Sequence, residues 1–128
     1  MRKQVIKLQG VKQPATGFNH VIKAGKFIFL SSQLSTDLGT GKIIKGNIRE
    51  QTKKTMENTK YLLAQCGCTM DEIVKIVIYF RNIKDRKHIN EIYKQYFTEG
   101  QEPAKVSVQA PSPIEGIDIE IEVTAVIR

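Results

Sequence analysis

The sequence predicts one α+β domain over residues 1–128, in which two helices cover the same face of a β-sheet. Several short segments alternate apolar and polar residues at a period of two, which is typical of half-buried strands. Two longer segments carry apolar residues at helical spacing instead. The patterns follow the order strands, helix, strand, helix, strands, and 128 residues are enough to bury a core without disulfides or a metal.

The N-terminal third predicts a short strand and then a hairpin. Apolar residues separated by lysine and glutamine mark the strand between Val5 and Leu8. The segments 18–23 and 27–33 flank Ala24-Gly-Lys, which we interpret as the turn of the hairpin. Phe27-Ile-Phe-Leu in the second segment is apolar on both faces.

Two amphipathic helices are predicted further along the chain. Asn47 followed three residues later by Glu50 indicates a capping box, and the helix of about five turns that follows ends at Gly67. Asp85 is expected to cap a second helix, whose apolar face consists of Ile89, Ile92, Tyr93, Tyr96 and Phe97. Between the helices, the segment 72–81 predicts another strand that is apolar on both sides.

The C-terminal quarter predicts two neighbouring strands, 103–109 and 117–127, joined by a connection that contains two prolines and a glycine. In each strand the polar residues share one face: Lys105, Ser107 and Gln109 in the first, and Asp118, Glu120, Glu122 and Thr124 in the second. If these polar faces coincide, an ammonium group and carboxylates line one wall of a site.

The doubly apolar segments 27–30 and 73–80 need cover on both faces of the sheet, yet two helices shield only one. We therefore expect another copy of the chain to supply the second cover. This predicts a closed homo-oligomer with sites at its subunit junctions.

The formal charge of +7 does not by itself indicate a nucleic-acid-binding protein, because no run of five like charges occurs. Arg49, Lys53, Lys54 and Lys60 share one predicted helix, which we interpret as a solvated face rather than an RNA-binding one. His20 and His88 lack the neighbouring acid and nucleophile of a triad. No metal site and no cofactor are predicted.

Cys66 and Cys68 are too close in sequence for an easy disulfide, so we interpret them as small buried residues of a reduced, cytosolic protein. The N-terminus lacks a seven-residue apolar core, and no window approaches a membrane span. A soluble, cytoplasmic protein is the expectation.

Four stretches together resemble the Rid family, also called YjgF. Glu102-Pro-Ala-Lys-Val-Ser-Val and Ile117-Asp-Ile-Glu-Ile-Glu-Val are similar to the family signature Pro-Ala-Arg-x-x-Val followed by Ile-Glu-Ile-Glu. Asn90-Glu-Ile-Tyr-Lys-Gln-Tyr-Phe resembles its Asn-x-x-Tyr-x-x-Phe-Phe helix, and Ser31-Ser-Gln its Ser-Gly-Gln. The resemblance implies a chorismate-mutase-like mixed sheet and a homotrimer that binds a small carboxylate-bearing ligand in its intersubunit clefts.

Family members that act as enamine/imine deaminases hydrolyse 2-imino acids such as 2-iminopropionate to the keto acid and ammonia. The resemblance implies that Lys105 holds the substrate carboxylate and that Glu120 holds or activates the attacking water. The implied pocket residues are Phe18, Ser31, Ser32, Asn90 and Ser107. Three of these positions depart from the family pattern: Lys105 replaces arginine, Phe18 replaces tyrosine, and Ser107 replaces cysteine. Lysine keeps the charge of arginine but loses its planar fork.

Other interpretations remain open. From the residues alone, Lys105 is interpreted as a lysine on the sheet surface, and Glu120 and Glu122 as the solvent-exposed side of an edge strand. Asn90 is then an ordinary polar helix residue, and Phe18 belongs to the core. At the level of function, the alternatives to a deaminase are a non-catalytic trimer that binds carboxylates, and an RNA-binding or RNA-cleaving protein. The sequence disfavours the third, because its lysines are scattered and aromatic stacking platforms are not evident.

Overall fold

The computed structural model of the chain describes residues 2–128. Within this range the strands are β1 (Lys3–Val5), β2 (Val21–Ala24), β3 (Phe27–Leu30), β4 (Ile73–Phe80), β5 (Ala104–Gln109) and β6 (Ile119–Val126). The helices are α1 (Ile48–Gln65) and α2 (Arg86–Tyr93), with 3₁₀ turns at Met70–Glu72, Ile83–Asp85 and Lys94–Tyr96. The strands form one mixed sheet in the order β1-β2-β3-β6-β4-β5, which confirms the α+β class with two helices.

Local sequence signals explain where α1 begins and ends. The Asn47 side chain accepts a hydrogen bond from the backbone N–H of Glu50 at 2.9 Å, and the Glu50 carboxylate accepts one from the N–H of Asn47 at 3.0 Å. This is the predicted capping box. The helix ends just before Gly67, whose φ of +75° is the left-handed conformation that glycine adopts readily. The second helix differs from expectation, because the Asp85 side chain caps nothing.

The core lies between the helices and one face of the sheet. Met56 and Leu63 of α1 and Ile89 of α2 pack with the buried strand residues, among them Ile76 and Ile121. Both helices therefore cover the same face, as the sequence predicted. Cys68 is buried and Cys66 half-buried, and both are free thiols.

The strand order corrects one prediction. The C-terminal strands β5 and β6 are not neighbours, because β4 lies between them. β4 pairs parallel with β5 and antiparallel with β6. β5 is consequently an edge strand. The connection from β5 to β6 runs past the end of β4, because Gln109 and Ile119 are both paired with Phe80. The hairpin is confirmed, with Ala24 paired to Phe27, although its strands are shorter than the predicted 18–23 and 27–33.

A buried glutamine fixes where β6 begins. The Gln51 side chain is fully buried and donates hydrogen bonds to the carbonyls of Gly46 and Gly116, each at 3.0 Å. Its oxygen accepts from the N–H of Asp118 at 2.9 Å. Helix α1 thus holds the end of the connection that leads into the strand carrying Glu120. Within residues 2–128 no helix is long and apolar enough to cross a membrane.

Candidate functional site

The ammonium group of Lys105 is held at the edge of the sheet. Lys105 lies on β5, and its Nζ donates to Oδ1 of Asn90 on α2 at 2.6 Å. The same nitrogen stands 4.6 Å from the centre of the Tyr93 ring, within cation–π range. Burial lowers the pKa of Lys105, and the charge of Arg86 lowers it further. The side chain is a positioned cation, not a freely solvated one.

Lys105 and Glu120 lie on opposite faces of the sheet. Lys105 is paired with Ile76 on β4, and Ile76 is a buried residue of the helix-covered face. Glu120 is paired with Tyr79, three residues further along β4 and therefore on the other face. The expectation that the two polar faces coincide is wrong within one chain. A wall that contains both groups cannot form from a single subunit.

Glu120 lines a hollow on the uncovered face of the sheet. The hollow has a volume of about 300 Å³, and its polar lining includes Ser32, Tyr79, Ser112 and Glu122. The Ser112 hydroxyl donates to Oε2 of Glu120 and accepts from the N–H of Ile114 at 3.0 Å. The Glu120 carboxylate is thereby oriented by one hydroxyl, while its other oxygen is available to a water molecule or ligand.

Ser32 connects this hollow to a second one. The second hollow, of about 260 Å³, is lined by Phe18, His20 and Ser32 together with loop residues. The rings of Phe18 and His20 meet edge to face at 6.1 Å. Burial lowers the pKa of His20, which a hydrogen bond to the backbone of Lys12 partly opposes. Phe18 is therefore a half-exposed wall residue and not part of the core.

Ser31 has a structural partner instead of a place in either hollow. Its hydroxyl donates to the backbone carbonyl of Asn19 at 2.6 Å, which ties β3 to the loop before β2. Ser107 is exposed on β5, on the same face as Lys105 and two residues further along. The structure thus gathers Lys105 and Asn90, with Ser107 beside them, and separately gathers Phe18, Ser32 and Glu120.

Comparison with known proteins gives a consistent result. The family model described as Endoribonuclease L-PSP matches residues 10–127. A RutC family protein of Pyrococcus abyssi is 37% identical, covering 98% of each chain. The 2-iminobutanoate/2-iminopropanoate deaminase of Homo sapiens is 30% identical over 85% of this chain and 79% of its own length. A Rid family protein of Yersinia pestis superposes with a TM-score of 0.90 at 29% identity, covering 98% of this chain and 100% of that one.

The chain belongs to the Rid/YjgF family. The lysine at position 105 is the most consequential departure from the Rid signature described above. The structure shows how the lysine is held, with Asn90 accepting from the ammonium group and Tyr93 beneath it. A lysine stem is flexible, so these two contacts supply orientation that the planar guanidinium of arginine would have by itself.

Two neighbours of the site in this Rid chain were not predicted. The sequence assigned Tyr93 to the core face of α2, and it is buried there, but its ring also contacts Lys105. Ser112 was part of the connection between strands and contacts Glu120. A signal for Ser112 existed, since a hydroxyl between two prolines of a rigid connection lies close in sequence to Glu120. Among residues 2–128 no group of three or more histidine, cysteine or acidic side chains could hold a metal ion.

Proposed function

We propose that the protein hydrolyses reactive 2-imino acids to the corresponding keto acid and ammonia. The observation that carries the proposal is the fixed ammonium group of Lys105, held by Asn90 at 2.6 Å over the Tyr93 ring. Such a group binds the carboxylate of an imino acid and positions its C=N bond. The human and rat relatives, named 2-iminobutanoate/2-iminopropanoate deaminases and 30% and 32% identical, support the same chemistry.

The reaction needs one water and one proton carrier. The water oxygen adds to the imine carbon while Glu120 takes one proton from the water and passes it to the imine nitrogen, which gives a tetrahedral carbinolamine. Glu120 then takes the hydroxyl proton of this intermediate and delivers it to the nitrogen as the C–N bond breaks, so that the carbonyl forms and ammonia leaves. Ser112 supports this role, because its hydroxyl fixes the Glu120 carboxylate at the hollow.

A homotrimer with sites between subunits is part of the proposal. Since Lys105 and Glu120 face opposite sides of one sheet, a shared site requires Lys105 of one subunit and Glu120 of the next. The uncovered face supports such an assembly, because Phe27 and Phe29 stack there with ring centres 6.1 Å apart and are 43% and 44% exposed. Repeating one head-to-tail contact three times closes a ring with three equivalent clefts.

Generating 2-iminopropionate in place and following ammonia or pyruvate tests the activity. Lys105→Ala should weaken substrate binding by about tenfold or more, because one charge-assisted hydrogen bond is lost, whereas Lys105→Arg should retain activity. Glu120→Gln should slow turnover by about a hundredfold or more. Glu115→Gln is the control and should leave turnover unchanged, because Glu115 is exposed and does not line the hollow that contains Glu120. Hydrolysis by the starting protein at the rate of buffer would refute the deaminase proposal.

Mixing two impaired variants tests the intersubunit site. A Lys105→Ala chain and a Glu120→Gln chain, unfolded and reassembled together, should recover about a quarter of native activity, since that fraction of junctions pairs an intact lysine with an intact glutamate. Each variant reassembled alone is the control. No recovery, with mixed trimers verified by mass spectrometry, would mean that Lys105 and Glu120 do not share a site across subunits.

A non-catalytic, carboxylate-binding trimer is the second candidate, and the replacement of arginine by Lys105 favours it. Under this hypothesis, carboxylates bind in a Lys105-dependent way without ammonia release, and Lys105→Arg alone produces turnover.

RNA binding or cleavage stays a third prediction, supported only by the family description and the +7 charge. It predicts binding to an RNA oligonucleotide that falls steeply with salt.

A further inference from the structure

A strongly basic hollow adjoins the Lys105 site. It has a volume of about 570 Å³ and lies along the length of α2. Its cationic lining residues are Lys84, Arg86, Lys87 and Lys94. Asn90, which accepts from the Lys105 ammonium group, also lines it. Lys105 itself does not line the hollow, and Asn90 is the residue that joins the two.

Four cations line this hollow against one carboxylate. Glu91 is its acidic lining residue, and the Glu91 carboxylate is already paired with Arg49. Across residues 2–128, none of Lys84, Arg86, Lys87 and Lys94 has a carboxylate oxygen within 4.0 Å. Arg86 also acts on Lys105 through space, since its charge contributes to the lowered pKa of that lysine. Like charges that line one hollow repel one another, and an anion bound between them relieves that repulsion.

We propose that this site takes a ligand with two carboxylates, a 2-imino dicarboxylate and its keto acid, with one carboxylate on Lys105 and the other on Arg86 in the basic hollow. The inference rests on the proposed function, because it assigns a substrate class to the same site. A monoanion neutralises only one of the two cations, whereas a dianion neutralises both. Arg86 also supplies the planar, bidentate fork that Lys105 lacks.

Binding of two matched keto acids tests the substrate class without requiring turnover. 2-Oxoglutarate and 2-oxopentanoate have the same chain length and differ in the terminal carboxylate. Calorimetry on the full-length protein should give about tenfold or more tighter binding of 2-oxoglutarate, since one further charge-assisted contact forms. The preference should shrink as salt is raised, because exposed charges are screened over about 10 Å at 0.1 M ionic strength.

Charge-removing variants assign the preference to residues. Arg86→Gln should bring the two keto acids to within about threefold of each other and leave 2-oxopentanoate binding nearly unchanged. Lys53→Gln, which removes a cation from the separate groove between α1 and α2, is the matched control and should leave the preference intact. Arg86 and Lys53 are both exposed. Arg86→Met, which removes the same charge, repeats the test should Arg86→Gln fold poorly.

The outcomes separate this inference from the proposed function. Hydrolysis of 2-iminopropionate together with equal binding of both keto acids would overturn the dicarboxylate inference and leave the deaminase proposal standing. Preferential binding of 2-oxoglutarate without hydrolysis of any imine would refute the deaminase proposal and support the dicarboxylate ligand. A preference that survives Arg86→Gln or Arg86→Met would also overturn the inference. So would an RNA oligonucleotide that binds this surface while neither keto acid does.

Discussion

The two faces of the sheet are built from the same strands, yet they differ in almost every physical respect. On the face covered by the helices, Ile76, Ile78 and Ile121 are at most 2% exposed. On the other face, the alternate residues of the same strands include Tyr79 and Glu120, which are only partly buried. One face is complete within the chain. The other combines exposed phenylalanines with carboxylates, and among residues 2–128 no helix covers it.

The covered face stabilises the fold, whereas the other face carries the carboxylate of the proposed reaction. The covered face holds the core and, at its β5 edge, a cation fixed by α2. The uncovered face holds the carboxylate that the proposed reaction needs. A protein that distributes two complementary groups over opposite faces uses them together only by assembling. The comparison can therefore be tested by damaging each face separately.

The largest expected effect on folding comes from the covered face. Ile78→Ala should lower the free energy of unfolding by about 2–5 kcal/mol, because it leaves a cavity in a closely packed core. Denaturant unfolding of the full chain measures this. Lys75→Ala, on the uncovered face of the same strand, should change the value by no more than about 0.5 kcal/mol. Equal losses from both variants would contradict the assignment of the faces.

A charge on the uncovered face should act on assembly more than on the subunit fold. Phe29→Asp places a carboxylate in the apolar surface and should weaken self-association by about a hundredfold or more. Sedimentation should then show a lone chain whose circular dichroism is native. Ile44→Asp changes an exposed apolar residue outside the named strands and should leave the mass unchanged. Native mass in the Phe29 variant would argue against this face as the subunit interface.

As the pH rises, carboxylate binding should be lost at a lower pH than a lysine with an ordinary pKa would give. Binding needs the ammonium form, and burial followed by the charge of Arg86 lowers the pKa of Lys105 from the usual 10.5. The affinity for 2-oxopentanoate should therefore decline as the pH rises through that lowered pKa. In Lys105→Arg the affinity should persist, since guanidinium stays protonated. Calorimetry across the alkaline range measures both, and identical profiles would exclude Lys105 as the ligand-binding cation.

The smallest effect is expected beneath Lys105. The Tyr93 hydroxyl is buried and has no hydrogen-bond partner among the described residues, and burial raises the pKa of Tyr93 to about 12. Tyr93→Phe should leave the free energy of unfolding unchanged or raise it by up to about 1 kcal/mol, because an unpaired polar group is removed. Tyr96→Phe is the contrast, since its hydroxyl donates to Glu57 at 2.6 Å and its loss should destabilise by about 1 kcal/mol. If Tyr93→Phe lowered the free energy of unfolding more than Tyr96→Phe does, the Tyr93 hydroxyl would have a hydrogen-bond partner.

Local features were predictable from the sequence because they depend on neighbouring residues. The capping box of Asn47 and Glu50, the hairpin turn after Ala24, and the alternation of Glu120 with buried isoleucines all follow from short-range geometry. The contact between Lys105 and Asn90 joins two elements, and only the family resemblance had placed both residues in one site.

The sequence by itself determined the types of the elements, their order along the chain and which residues of each strand share a face. Only the tertiary structure decided that β4 separates β5 from β6, and that the polar face of β5 turns toward the helices while that of β6 turns away. The physical reason is that a period of two fixes faces within one strand only, whereas pairing and register between distant strands depend on the packing of the whole core.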